Sequence, residues 1–240
     1  MGLDSTSLIL VATPTQTIPV ILSRVKDLRR SPHHPTNTPC YLLSPMRLKI
    51  LQAGEPVLRA QARPLTHQEV TTDEIRRLIN DMRETMYDAP GVGLAAPQVG
   101  VPLQLAVIED REDFLKAIPP AELSEKARSP VPFHVIINPK IELLGNDNAQ
   151  FFEGCLSLSG FSALVPRSRE VRVTYWDEHA EEKSVLAAGW YARILQHEID
   201  HLQGTLYIDK MRTRSFTSFE NFNRHWKSKP ISDVADALKS

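Results

Sequence analysis

The sequence predicts an α+β domain, with mixed or antiparallel strands packed around a central helix that carries the pattern H-E-x-x-H. Three observations lead there. Residues 73–87 repeat apolar side chains at helical spacing, and about 190–203 form a second helical stretch that is apolar on most of its faces. Short apolar runs of strand length lie between and around them. The two kinds of segment mix without the βαβ alternation that a parallel sheet requires.

The elements follow in chain order. Residues 1–45 hold 6 of the 18 prolines, only two acids (Asp4 and Asp27) and a basic group at Arg24, Lys26, Arg29 and Arg30. The stretch SPHHPTNTPC (31–40) has neither helical nor strand period, so 1–45 reads as an unstructured leader. It is either a start codon placed too far upstream, which favours the bacterial cytoplasm, or a transit peptide for a mitochondrion or plastid. From Met46 the pattern tightens. MRLKILQAGEPVLR (46–59) reads as a short strand, a turn at Gly54 and an extended Glu55-Pro56 segment. In the helix at 73–87, Ile75, Leu78, Ile79, Met82 and Met86 share a face, with Thr71 and Glu74 as its capping box and Pro90-Gly91 as its end. LQLAVI (103–108), HVIIN (134–138), SALV (162–165) and VRVTYW (171–176) read as strands. The charged, proline-containing stretch 109–132 reads as a long surface excursion. The second helix stops at Gly204. LYIDKM (206–211) reads as a short strand and 213–240 as a polar tail.

Composition narrows the function. Across 240 residues, 42% are hydrophobic and 24% charged, ordinary for a globular chain. With Lys plus Arg 28 against Asp plus Glu 29, nothing favours a generic nucleic-acid binder. No apolar run reaches the length of a membrane span. Two cysteines, Cys40 and Cys155, argue against a disulfide-stapled fold and for a reducing compartment.

Three stretches carry chemistry. In QHEIDHLQG (196–204), His197 and His201 lie one helical turn apart on one face and can chelate a single metal ion. Glu198 lies about 100° round the helix, where it can act on water without occupying a coordination position. The apolar neighbours Ile194, Leu195, Ile199 and Leu202 bury this helix, and buried His and Glu demand partners. A third ligand is needed. The pattern H-E-x-x-H-x-x-G-x-x-H is excluded because position 207 is Tyr207. Glu220 downstream and Cys155, in EGCLS (153–157), are the candidates, a thiolate suiting zinc or ferrous iron. In GVGLAAPQVG (91–100), small residues allow close approach of another chain and Gln98 offers an amide donor. A nucleotide loop is rejected there, since no strand leads in and Pro97 interrupts the helix that should follow.

Taken together, GVGLAAPQ (91–98), EGCLS (153–157) and QHEIDH (196–201) resemble the motifs of peptide deformylases, over about 46–212. AGWYARILQHE (188–198) and SGFSALVPR (159–167) look like the subgroup that includes mitochondrial, plant organellar and some bacterial enzymes. The resemblance implies a hydrolase that removes the formyl group from the formyl-Met of nascent polypeptides, met near the ribosome exit. It implies one divalent metal ion on Cys155, His197 and His201, Fe(II) ahead of Zn(II). It implies Glu198 as general base and acid, and Gln98 with the Leu156 N–H as oxyanion donors. Val92 and Gly93 would pair with the substrate backbone, and Ile194 would wall the methionine pocket. Glu153 is expected to pair with Arg167 behind the Cys155 loop, so that exchanging the two charges partly restores metal affinity. An ordinary zinc peptidase using Glu220 and a four-ligand structural site are the rivals; the first would tolerate Cys155→Ala.

Overall fold

The computed structural model describes residues 46–238, so the leader at 1–45, Cys40 included, lies outside the described residues. All described residues fall within one unit of the chain, Leu43–Ser240. The elements run α1 (His67–Val70), α2 (Asp73–Asp88), β1 (Gly93–Ala95), β2 (Leu105–Asp110), α3 (Glu112–Leu115), α4 (Pro120–Glu125), β3 (Val131–Cys155), β4 (Leu158–Trp176), β5 (Glu182–Ala188), α5 (Gly189–Leu202), β6 (Thr217–Ser218), α6 (Phe219–His225) and α7 (Ile231–Ala237). The strands form one antiparallel sheet in the order β1-β2-β3-β4-β5, with β6 added to β4. Among the described residues no helix is long and apolar enough to cross a membrane.

The sheet has a helix on each face, and the pleat sorts its side chains between them. Leu105, Val107, Val135 and Ile137 join Ile75, Ile79, Met82 and Met86 of α2. Ala106, Ile108, Ile136, Val171 and Val173 join Ala192, Leu195, Ile199 and Leu202 of α5. The run 105–108 is apolar throughout because both faces are covered. The α+β reading with α5 against the sheet is thus the architecture observed.

Several local expectations need correction. Residues 46–50 form no strand, and Pro56 opens a short 3-10 helix, Pro56–Arg59, suited to its fixed φ. Thr72, not Thr71, caps α2, accepting from the Ile75 N–H; the reciprocal capping box belongs to Thr66 and Glu69 on α1. The runs at 134–138 and 162–165 lie near the starts of much longer strands, β3 and β4. Residues 109–132 are no simple excursion: they contain α3 and α4, and Arg128 forms a two-pronged pair with the fully buried Asp110 at 2.7 and 2.8 Å. Residues 207–209 form a 3-10 turn where a strand was expected, because the Asp209 carboxylate takes the Leu206 N–H at 2.8 Å. Residues 213–238 fold back as β6, α6 and α7, with Val234 buried. The expected stop at Gly204 holds: its φ is +72°, and a Cβ there would lie 2.7 Å from the Arg59 backbone.

Candidate metal centre

Three separate stretches meet at the end of a cleft of about 480 Å³ between β1, the β3–β4 turn and α5. Cys155 ends β3, while His197 and His201 project from α5 one turn apart, their ring centroids 5.0 Å from each other. His201 Nε2 lies 3.2 Å from Cys155 Sγ. The Cys155, His197 and His201 ligand atoms all lie within 4.8 Å of one another. A thiolate with two imidazoles gathered in one place is a fitting donor set for zinc or ferrous iron. Burial pushes the His201 imidazole well down, toward the neutral form that ligates. Glu220 is not part of this group: its side chain is 76% exposed and pairs with Arg224.

Glu198 is buried beside the ligands, and its Oε2 has no hydrogen-bond partner. Burial pushes its carboxyl up to about 7. The carboxylate lies against β1, where a Cβ on Gly93 would sit 2.2 Å from Glu198 Oε1. Only glycine leaves room for the acid at this point. The Val92 carbonyl accepts the Glu109 N–H at 3.1 Å, so strand alternation turns the N–H and C=O of Gly93 toward the opposite edge, which no described strand pairs. Val92 contributes its side chain to the cleft wall, and its carbonyl is committed to β2.

Gln98 is held from its oxygen end. Its Oε1 accepts the Ala95 N–H at 2.8 Å, which aims Nε2 at Ser157 Oγ (3.2 Å) and Cys155 Sγ (3.5 Å). The Ser157 N–H also points at the sulfur, at 3.4 Å. Leu156 and Ile194 line the cleft.

Behind the ligands lies a buried charge network. Glu153 accepts from Arg167 Nε and Nη2, each at 2.9 Å, and from Arg193 Nη1 at 2.5 Å; His197 Nδ1 is 3.0 Å from its Oε2. Arg167 Nη1 continues to Asp200 at 2.5 Å, and Lys210 reaches Asp200 at 2.6 Å. Burial alone would raise the Glu153 carboxyl; the hydrogen bonds with His197 and Arg167 outweigh it and hold the group well below its usual range. The contact at Nδ1 orients the ring and leaves Nε2 of His197 for a metal. Arg193, Asp200 and Ser157 are the members that sequence reading misses. Buried charges four residues before and three after His197, on an otherwise apolar helix, are the signal that could have found the first two.

Glu153→Gln is expected to lower stability by about 3 kcal/mol, as breaking buried ion pairs does, and metal affinity by about 10–100-fold. Thermal unfolding and metal titration check this. Exchanging the charges of Glu153 and Arg167 is no longer expected to restore affinity. It would set a guanidinium beside Arg193 and His197, partners that the sequence alone does not reveal.

The polypeptide deformylase family profile matches residues 47–216.

The chain belongs to the polypeptide deformylase family.

It is 47% identical over 174 residues to the chloroplastic peptide deformylase 1A of Solanum lycopersicum, covering 72% of this chain and 63% of that one. It is 45% identical over 175 residues to the chloroplastic/mitochondrial peptide deformylase 1A of Arabidopsis thaliana, covering 73% and 65%. The match thus spans slightly less than two thirds of these curated relatives. The fold is shared with a class I type b peptide deformylase from Acinetobacter baumannii solved with Met-Ala-Ser bound, at a TM-score of 0.62 and 29% identity over 69% of this chain and 99% of that one. Among the described residues, the Cys155, His197 and His201 cluster is the group that could hold the metal ion the family implies.

Proposed function

We propose that this deformylase hydrolyses the N-formyl group of formyl-Met polypeptides, releasing formate and a free methionine amine. The observation that carries the reading is a buried, unpartnered Glu198 carboxylate beside a Cys-His-His cluster at the end of a cleft. When bound, the metal ion activates water and polarises the formyl oxygen. Fe(II) is the proposed ion, with Zn(II) the alternative. Glu198 takes a proton from the attacking water and returns one to the leaving amine nitrogen; a carboxyl near 7 is matched to that exchange at neutral pH. The Gln98 amide and the Leu156 N–H donate to the developing oxyanion, the Gln98 oxygen already being tied to Ala95. The open N–H and C=O of Gly93 take the peptide backbone by strand addition, which binds without reading sequence. Ile194 and Val92 wall the methionine side chain.

The substrate is met as it leaves the ribosome, and no nucleic-acid or membrane partner is part of the proposal. The catalytic unit begins at Met46. Its polar C-terminal part, 213–238, contributes to the cleft through Phe219. A chain starting at Met46, purified without oxygen, is expected to carry about one metal ion and release formate from formyl-Met-Ala-Ser at the rate of the full chain. Failure to release formate would refute the activity, and a much slower rate would give the leader a part in it. For the compartment, bacterial cytoplasm is the first reading, while the organellar relatives support a mitochondrion or plastid. A full-length fluorescent fusion decides between them by entering an organelle or staying out.

A further inference from the structure

Residues 51–53 lie outside the three motif stretches and line no part of the cleft, yet each bonds to a segment that carries a proposed oxyanion donor. The Leu51 N–H donates to the Gln98 carbonyl at 2.8 Å, and the Ala53 N–H to the Ser157 carbonyl at 2.7 Å. Between them, Gln52 Nε2 donates to the Leu156 carbonyl at 3.0 Å, and Gln52 Oε1 accepts the Ser159 N–H at 3.3 Å. Upstream, the Leu48 N–H donates to the hydroxyl of the buried Thr85 on α2 at 2.8 Å, which anchors this strap. Ser159 Oγ also donates to the Leu156 carbonyl at 3.2 Å, but that bond lies within the turn and moves with it. The carbonyl and N–H of one trans peptide point opposite ways. The Leu156 carbonyl and the Ser157 N–H belong to one such peptide, so Gln52 holds one end while the other faces Cys155 Sγ at 3.4 Å.

We propose that Gln52 is a positioning residue for the oxyanion site: its amide holds the Leu156–Ser157 peptide so that the Leu156 N–H stays aimed at the same point as the Gln98 amide. The inference rests on the deformylase reading. An oxyanion site works because its donors are aimed before charge develops. The two donors here come from segments far apart in the chain, and residues 51–53 bond to both. A turn free to rock would have to be re-aimed in every turnover, and that cost falls on kcat. Backbone pairing at Gly93 and the wall at Ile194 lie elsewhere, so KM is spared. The donor end of Gln52 is the part that matters. A glutamate of the same shape could still accept the Ser159 N–H, but it would set an oxygen against the Leu156 carbonyl.

The experiment compares the metal-loaded full chain with Gln52→Ala, Gln52→Glu and Gln52→Lys on formyl-Met-Ala-Ser. The Ala and Glu variants are expected to lower kcat by about 10–100-fold, the scale of a small misplacement at a reacting centre, with KM within about twofold. Gln52→Lys returns a donor and is expected to recover most of that loss. Metal content should stay at about one ion per chain and the unfolding midpoint within about 2 °C, because the Gln52 side chain is exposed. Amide exchange gives a readout apart from turnover: the N–H of the buried Ser157 should exchange about tenfold faster in the Ala and Glu variants, with α5 unchanged. An unchanged kcat in either variant overturns the proposal, and so does a loss carried by KM or a Lys variant no better than Ala. A loss of metal or a lowered midpoint that accounts for the fall in rate makes Gln52 a structural contact only, and the proposal fails. No formate from the unaltered chain would overturn the deformylase reading and the oxyanion role with it, while Ser157 exchange would still report whether Gln52 holds the turn.

Discussion

Glu198→Gln is expected to keep its metal and to lose about 10³–10⁴ in kcat, toward the upper end of what general acid–base groups supply. The substitution is nearly isosteric, and the side chain lies in space kept open by Gly93, so the helix should fold as before. The carboxylate makes no hydrogen bond whose loss would strand a partner. What disappears is the ability to accept a proton from water and to hand one to the leaving amine. In the proposed mechanism one residue serves both steps, which is why a large effect is expected. KM for formyl-Met-Ala-Ser should move little, because the open edge of Gly93 is untouched. Metal content and kcat are measured on the same sample. Loss of the metal would make Glu198 a ligand. Near-normal turnover with metal retained would assign the proton transfer to another group.

Cys155→Ser is expected to lose most of the metal and, with it, most of the activity. A serine hydroxyl stays protonated at neutral pH, whereas the thiolate is a soft anion. The sulfur also sits where the Gln98 amide and the Ser157 N–H point, a surrounding that favours negative charge. The drop in affinity should exceed the roughly 10–100-fold typical of altering a group behind the ligands. Metal content and rate both unchanged would return the third ligand to some other residue, although Glu220, exposed and paired with Arg224, is poorly placed for it.

The helices are legible in the sequence because their period runs unbroken over many residues. α2 buries Ile75, Ile79, Met82 and Met86 at the spacing the sequence shows, and α5 stops one residue short of the expected end, ahead of Gly204. Strand extents are not legible. β3 continues from the buried run at 134–138 through an exposed middle that alternates too weakly to be read, and only pairing with β4 makes it a strand. Side chains that capture backbone groups override pattern, as Asp209 does in turning 207–209 into a 3-10 turn. In the site, the residues that share short motifs are visible beforehand, because their spacing on α5 is itself the geometry. Arg193 and Asp200 sit on the same helix, yet their roles depend on which strand residue each meets, and that is a property of the packed fold. The expected Glu153–Arg167 pair does form, but as one arm of a larger network.

That network ties the cleft to the unfolding of the protein. Glu153 on β3, Arg167 on β4 and Arg193, His197 and Asp200 on α5 are joined through shared hydrogen bonds in the interior. Sliding α5 against the hairpin by one bond length would leave guanidinium and carboxylate groups unpaired away from water, at a cost of several kcal/mol. On this ground α5 is expected to have no cheap partial opening of its own and to belong to the most cooperative part of the structure. On heating, turnover, metal retention and the slowest amide exchange in α5 are therefore expected to share a single transition, with residual activity reporting on the folded fraction.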